Sequence, residues 1–278
     1  MGLSSIMLSV MNALVKYLEG FSAFQLIFIR SLITLIFISL YLKHKNINLI
    51  GNERKLMLIR GVFGTISLFL FFYSLKFLNL GIATVIRYLS PVFAAVLAIF
   101  WLRQKVAVKQ WLYFAMAFLG VALIEFYHAQ ISILGTLIAI LSALSLSVVF
   151  VSISKIGNRD HPLVIINYFM LVGTVSCGIA CLFQWVSPSF TELLIILCLV
   201  IVGLLGQIFM TMAFQGASPK KVAPFKYLEV LFTLLLGVTF FSEEYGVIAI
   251  LGVFLVLTGI ILNTLYLNKK NRLQRSTN

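Results

Sequence analysis

Apolar residues run along this chain in ten long stretches, and polar residues are confined to short breaks between them. The stretches are 1–18, 23–42, 57–75, 80–102, 109–127, 133–155, 162–185, 191–215, 222–241 and 248–267. A helix needs about 20 apolar residues to cross the hydrocarbon of a bilayer, so each stretch reads as one transmembrane helix. Barrel strands would alternate lumen- and lipid-facing residues in segments of about ten, and these runs do not. The breaks hold the turn and charge signals: "KHKNINLIGNERK", "RQKVAVK", "IGNRDHP", "SPS", "GASPKK" and "SEEYG". None is long enough for a soluble domain; the longest polar loop runs from Lys43 to Leu56. The first stretch, "MGLSSIMLSVMNALVKYL", has no charged n-region and no A-x-A-like cleavage site, so it reads as a retained first helix. The pattern predicts an all-α integral membrane protein.

Composition agrees. Of the 278 residues, 62% are hydrophobic and 10% are charged, against about 25% charged in a soluble domain. A net charge of +13 would point to nucleic acid in a soluble protein, but its placement here follows topology. With the N-terminus in the cytoplasm, four of the 21 Lys and Arg lie within spans (Lys16, Arg30, Arg87 and Lys226) and only Lys76 lies outside. The remaining sixteen, Arg60 among them, fall at cytoplasmic ends and loops. Such an imbalance is the positive-inside signal, and it holds with ten spans and both termini in the cytoplasm.

The chain also repeats. Shifted by 139 positions without gaps, Arg87-Tyr88-Leu89 lands on Lys226-Tyr227-Leu228, Gly64 on Gly203 and Gly120 on Gly259. The shift carries helices 2–5 onto helices 7–10. Five spans is an odd number, so the second half enters the membrane from the opposite face. The expected organisation is therefore two inverted five-helix repeats, residues 1–130 and 131–267, followed by a basic cytoplasmic tail, 268–278. Inverted repeats are common in secondary transporters, where two mirror-related states give alternating access to a midplane site. Under the same shift, helix 1 is shorter than helix 6 by about six residues on its cytoplasmic side.

Charges within spans are costly and usually face the bundle interior or an aqueous cavity. Arg30 and Arg87 lie about 10 Å into helices 2 and 4 from the outside. Lys226 lies about 6 Å into helix 9 from the cytoplasm, with Glu229 one turn deeper. Each of Arg87 and Lys226 has a tyrosine beside it. Arg30, Arg87, Tyr88, Lys226, Tyr227 and Glu229 are thus the candidate substrate-binding residues. The cations suit a carboxylate or phosphate, and Glu229 can accept an amine, carry a proton or pair with Lys226. The competing reading for Lys226 and Lys16 is snorkelling from a span end, and Glu125 reads as interfacial. Pro91 is expected to kink helix 4 and free carbonyls near Arg87. Asn12, Asn167 and Gln207 read equally as ligand contacts or as hydrogen bonds between helices. Gly61, Gly64, Gly203, Gly206 and Gly237 read as close-packing positions. Cys177, Cys181 and Cys198 read as small apolar side chains.

No GxxxxGK[ST] phosphate loop occurs, so direct drive by ATP is not expected. No convergent nucleophile and base, and no metal-ligand group, can be placed in one cavity. No catalytic residue, metal or cofactor is therefore expected, and enzyme function ranks low. The leading expectation is a secondary carrier for a small-molecule substrate in the lipid bilayer, with no nucleic-acid partner, acting as a monomer or a homodimer. The alternative is a multispan scaffold or scramblase-like protein whose in-span charges pair off.

The stretches "FFYSLKFLNLGIATVIRYLSPVFAAVLA" and "GQIFMTMAFQGASPKKVAPFKYLEVLFTLLLGVTFFSEE" resemble the drug/metabolite transporter superfamily, in its EamA-type branch. The resemblance covers nearly the whole chain. It implies a bacterial inner-membrane carrier of two five-helix EamA repeats. That pattern ends helix 9 with a phenylalanine shortly before a glutamate, which Phe240, Phe241 and Glu243 match. The first half has Gln104 where the glutamate is expected. The stretch "APFKYLEV" is similar to a subgroup that includes uptake carriers for S-adenosylmethionine.

Overall fold

The computed structural model describes residues 1–102, 108–127, 132–183, 185–216, 228–242 and 246–276. Among them the chain forms eleven α-helices and no strand. These are α1 (Gly2–Tyr17), α2 (Ala23–His44), α3 (Arg54–Ser74), α4 (Leu80–Arg87), α5 (Ser90–Leu102), α6 (Val108–Tyr127), α7 (Ile133–Ile156), α8 (Pro162–Cys181), α9 (Phe190–Gly216), α10 (Leu228–Phe241) and α11 (Val247–Ser276). By length and composition, the helices α2, α3, α8 and α9, and α7 with its trailing turn, can each cross a membrane.

The fourth apolar stretch forms two helices, and the interruption falls beside a candidate site residue. Pro91 has no N–H to give the Arg87 carbonyl, so the α-helical ladder cannot run through this point. α4 closes with Tyr88 N–H donating to the Thr84 and Val85 carbonyls at 3.2 and 3.0 Å, and Leu89 N–H to Ile86 at 3.0 Å. α5 then begins at Ser90 with Pro91 in its first turn, where the missing donor costs nothing. The sequence predicts a kink here; the structure has a full break at Tyr88–Leu89. α3 starts at Arg54, one turn before the apolar run that marks it in the sequence, and α11 continues through the basic tail to Ser276.

Several helix starts are capped by short polar side chains. Ser22 accepts from Gln25 N–H at 3.2 Å and Ser132 from Gly135 N–H at 3.2 Å. His161 Nδ1 accepts from Leu163 N–H at 3.2 Å, with Pro162 opening α8. Such caps satisfy donors that the helix itself leaves unpaired.

The principal packing pairs are α1 with α9, α3 with α7, α2 with α8, α6 with α11, and α4 with α10. α1 also meets α10, and α7 also meets α4 and α5; α2 meets α9, and α3 meets α8. Each of these pairs joins the first half of the chain to the second; smaller contacts within a half, such as α8 with α9 and α2 with α3, accompany them. Exchanging the halves turns α1–α9 into α7–α3 and α2–α9 into α8–α3, and returns the same set. Glycines permit the closest approaches. A Cβ on Gly64 would meet the Phe169 ring at 3.1 Å, and one on Gly120 would sit 2.6 Å from the Gly252 carbonyl oxygen.

The molecule is apolar outside and partly polar inside. Phe37, Leu137, Ile179, Ile201 and Phe254 are exposed on the outer faces, as side chains meeting lipid would be. Ser4, Ser9, Asn12, Arg30, Arg60, Gln207 and Glu229 are buried. That distribution reverses the pattern of a water-soluble protein.

Candidate functional site

The buried polar residues converge along the seam between the two halves. Arg30 lies on α2 and is fully buried. It fits because residue 203 of α9 is glycine: a Cβ there would stand 2.8 Å from Arg30 Nε and 3.0 Å from the Met11 sulfur. Among the described residues, Nε, Nη1 and Nη2 of Arg30 have no hydrogen-bond partner. Arg30 is near enough to Arg87 and Arg60 for each pair to repel.

Arg60 lies on α3, is 1% exposed, and belongs to this cluster. Its Nη2 donates to Gln207 Oε1 at 3.1 Å and its guanidinium carbon stands 4.4 Å from the centre of the Phe169 ring. Counting Arg60 among the cytoplasmic cations is therefore wrong. Because α3 begins at Arg54, residue 60 lies nearly two turns inside the helix rather than at its mouth. A signal for this exists in the sequence. Met57, Gly61, Gly64, Leu68 and Phe71 repeat at helical spacing and form the inward face of α3, and Arg60 lies on that face.

Arg87 ends α4, with its guanidinium carbon 4.2 Å from the centre of the Phe71 ring. Such cation–π contacts stabilise by about 0.5–2 kcal/mol. Tyr88 is buried next to it. Glu229, in the first turn of α10, supplies a negative charge that acts on Arg87. The Asn12 amide donates to Glu229 Oε1 at 3.3 Å, and Ser9 Oγ donates to the Glu229 carbonyl at 3.0 Å. The structure thus brings Arg30, Arg87, Tyr88 and Glu229 into one region and adds Arg60, Gln207 and Asn12. Lys226 and Tyr227 lie outside the described residues, as do Gln104 and Glu243.

The other in-span polar residues tie helices together. Asn167 Oδ1 accepts from Ser39 Oγ at 3.1 Å. Lys16 behaves as a span-end lysine: its Nζ donates to the Leu75 carbonyl at 3.1 Å and pairs with Glu19 at 2.7 Å. Cys177 and Cys181 are buried and Cys198 is exposed. Among the described residues no group of His, Cys, Asp and Glu could hold a metal ion.

Polar contacts are also found toward both ends of the helices. At one end, Asp160 accepts from Asn52 N–H at 2.6 Å and from Glu53 N–H at 2.9 Å, and Arg159 pairs with Glu53. Gln215 Nε2 donates to the Gly157 and Asp160 carbonyls at 2.8 Å each. At the other end, Gln25 Nε2 donates to the Val186 carbonyl at 2.6 Å and Gln25 Oε1 accepts from Val186 N–H at 3.1 Å. The halves are thus joined by polar contacts at Asn52 and Glu53 with Asp160 and Arg159, and at Gln25 with Val186.

Comparison with known proteins bears on what such a cluster does. The family model described as the EamA-like transporter family matches twice, at residues 1–126 and 133–265. The pseudopaline exporter CntI of Pseudomonas aeruginosa is 29% identical over 266 residues, 93% of this chain and 92% of the exporter. Solute carrier family 35 member G1 of Mus musculus is 28% identical over 87% of this chain and 70% of that protein. The S-adenosylmethionine uptake transporter of Rickettsia conorii is 24% identical over 87% of this chain and 83% of the transporter. A crystal structure at 18% identity superposes with a TM-score of 0.71 and covers 96% of both chains, so the fold is shared. With the long apolar helices and the apolar outer faces, these matches make this a multi-pass membrane protein, and the chain belongs to the EamA-like transporter family.

Proposed function

We propose that the protein is a secondary transporter of the drug/metabolite type. It moves a small polar organic metabolite across a bacterial inner membrane by alternating access to the Arg30–Arg60–Arg87–Glu229 cluster. One observation carries this reading. The Arg30 guanidinium is fully buried, and among the described residues none of its nitrogens has a hydrogen-bond partner. A buried charge left unpaired costs several kcal/mol, so a purely structural arginine here would be selected against, while one that engages a passing solute is explained.

The architecture proposed is ten spans in two inverted five-helix repeats, with both termini in the cytoplasm. Three observations support it: the ungapped 139-residue shift, the double family match, and contacts between the halves that survive their exchange. Removing Arg60 from the cytoplasmic tally leaves fifteen cations against one, and the positive-inside argument stands. The names of the relatives include both an exporter and an uptake transporter, so the direction of net transport is set by the solute gradients and coupling rather than by the fold.

Uptake and efflux of labelled amino acids, nucleosides and S-adenosylmethionine in membrane vesicles test the proposal. Wild-type protein moves at least one solute. Arg87→Ala abolishes that flux while expression and membrane insertion persist. Normal flux through Arg87→Ala makes the arginine structural and removes the site from the account.

A further inference from the structure

We infer that the substrate of this site carries at least two acidic groups, carboxylate or phosphate, held at once by Arg30 and Arg60 with Arg87 at one end. The inference rests on the carrier reading and adds the substrate class. It begins from charge. Among the described residues the cluster holds three guanidinium groups and one carboxylate, Glu229. Glu229 is bonded to Asn12, and among the described residues neither Arg30 nor Arg60 pairs with an acid.

Donor counting leads to the same conclusion. The nitrogens without a partner among the described residues are Nε, Nη1 and Nη2 of Arg30, Nε and Nη1 of Arg60, and Nε of Arg87. By guanidinium chemistry these six nitrogens carry nine N–H bonds. A single carboxylate offers about four lone-pair positions, too few for two forks on different helices. Two acidic groups match both the charge excess and the two separate forks. Among the described residues Glu229 Oε2 and Asn12 Oδ1 also lack donors, and they would accept a hydroxyl or ammonium group on the same solute.

The shift that relates the halves does not repeat this pair of arginines. It carries Arg30 onto Phe169 and Arg60 onto Leu199, both buried. Among the described residues the cationic surface therefore belongs to the first half. S-adenosylmethionine, with a sulfonium and one carboxylate, is poorly matched to it.

The test uses purified full-length protein in phosphatidylcholine nanodiscs and reads thermal stabilisation. The probes are succinate, citrate, glutamate and inorganic phosphate against propionate, leucine and S-adenosylmethionine. Succinate or citrate should bind at least about tenfold more tightly than propionate. Arg30→Gln should lose that preference while remaining folded. Equal binding of propionate, preferred binding of S-adenosylmethionine or leucine, or stabilisation by no probe overturns the inference. Stabilisation by phosphatidylglycerol with none by a soluble dianion assigns the donors to a lipid headgroup and also overturns it. Counterflow of the same probes in proteoliposomes separates the two readings. Flux of leucine or S-adenosylmethionine alone removes the dianion and keeps the carrier. Bound dianions without any flux keep the charge class and remove the carrier.

Discussion

Gly203→Ala is the mildest substitution that presses on the cluster from inside the fold. The added Cβ would lie 2.8 Å from Arg30 Nε, 3.0 Å from the Met11 sulfur and 3.4 Å from Arg30 Cζ. Ordinary contact begins near 3.4 Å, so the guanidinium must retreat by about 0.6 Å or α9 must move away from α1 and α2. Overpacking of this kind costs about 1–3 kcal/mol. The functional effect should exceed the structural one, because misplacing a binding group by about 1 Å costs up to about a hundredfold. We expect Gly203→Ala to reach the membrane at wild-type levels and to raise the KM for the transported solute by about tenfold. Gly206→Ala is the control. Its Cβ meets the Leu8 side chain at 2.9 Å and touches none of the arginines, so it should lower thermal stability and leave KM within about twofold. The assay is initial-rate uptake in proteoliposomes, with melting measured on the same preparations. Equal KM values for Gly203→Ala and wild type, or equal KM increases for both glycine variants, would refute the placement of Arg30 at the site.

Two further substitutions follow from the polar contacts. Glu229→Gln keeps an oxygen for Asn12 but removes a negative charge that acts on Arg87; coupled residues of one polar network interact by about 0.5–3 kcal/mol. The single variant should melt early, and Arg87→Gln/Glu229→Gln together should recover stability without recovering transport; strictly additive losses in melting would exclude the pair. Asp160→Ala removes the acceptor of the Asn52 and Glu53 N–H groups, each bond contributing about 1.5–3 kcal/mol. The variant should be cut faster by trypsin at Lys45 and Arg54, and unchanged cleavage rates would mean that Asp160 does not hold the loop.

Much of this fold is legible from the sequence because lipid imposes a simple rule: apolar runs of one length, broken by polar turns. The helix boundaries of α2, α7 and α8 follow their capping residues and agree with the expected starts. Three features resist that reading. The break at Tyr88–Leu89 has no apolar signature, since both sides of it are equally greasy and only Pro91 marks the place. Arg60 hides at the edge of an apolar run, where end and interior look alike until the helix start at Arg54 is known. The partners of Asn12 and Gln207 lie 217 and 147 residues away, and no local pattern specifies such pairings. Arg30, Arg87, Tyr88 and Glu229 are legible as candidates for the opposite reason. A charge in hydrocarbon has few structural uses, so its presence alone narrows its role.

Accessibility of a thiol beside the cluster tests the central claim most directly. Ser9 is fully buried and its hydroxyl reaches the Glu229 carbonyl. In a chain with Cys177, Cys181 and Cys198 replaced by Ala or Ser, Ser9→Cys places one reactive sulfur at the cluster with little change in size. Membrane-impermeant thiosulfonate applied to sealed, oriented vesicles should modify that sulfur from either face in turn, and a transported solute should slow the reaction from both. Modification from one face only, from neither, or at a rate indifferent to solute contradicts a site at the seam that opens alternately to the two sides.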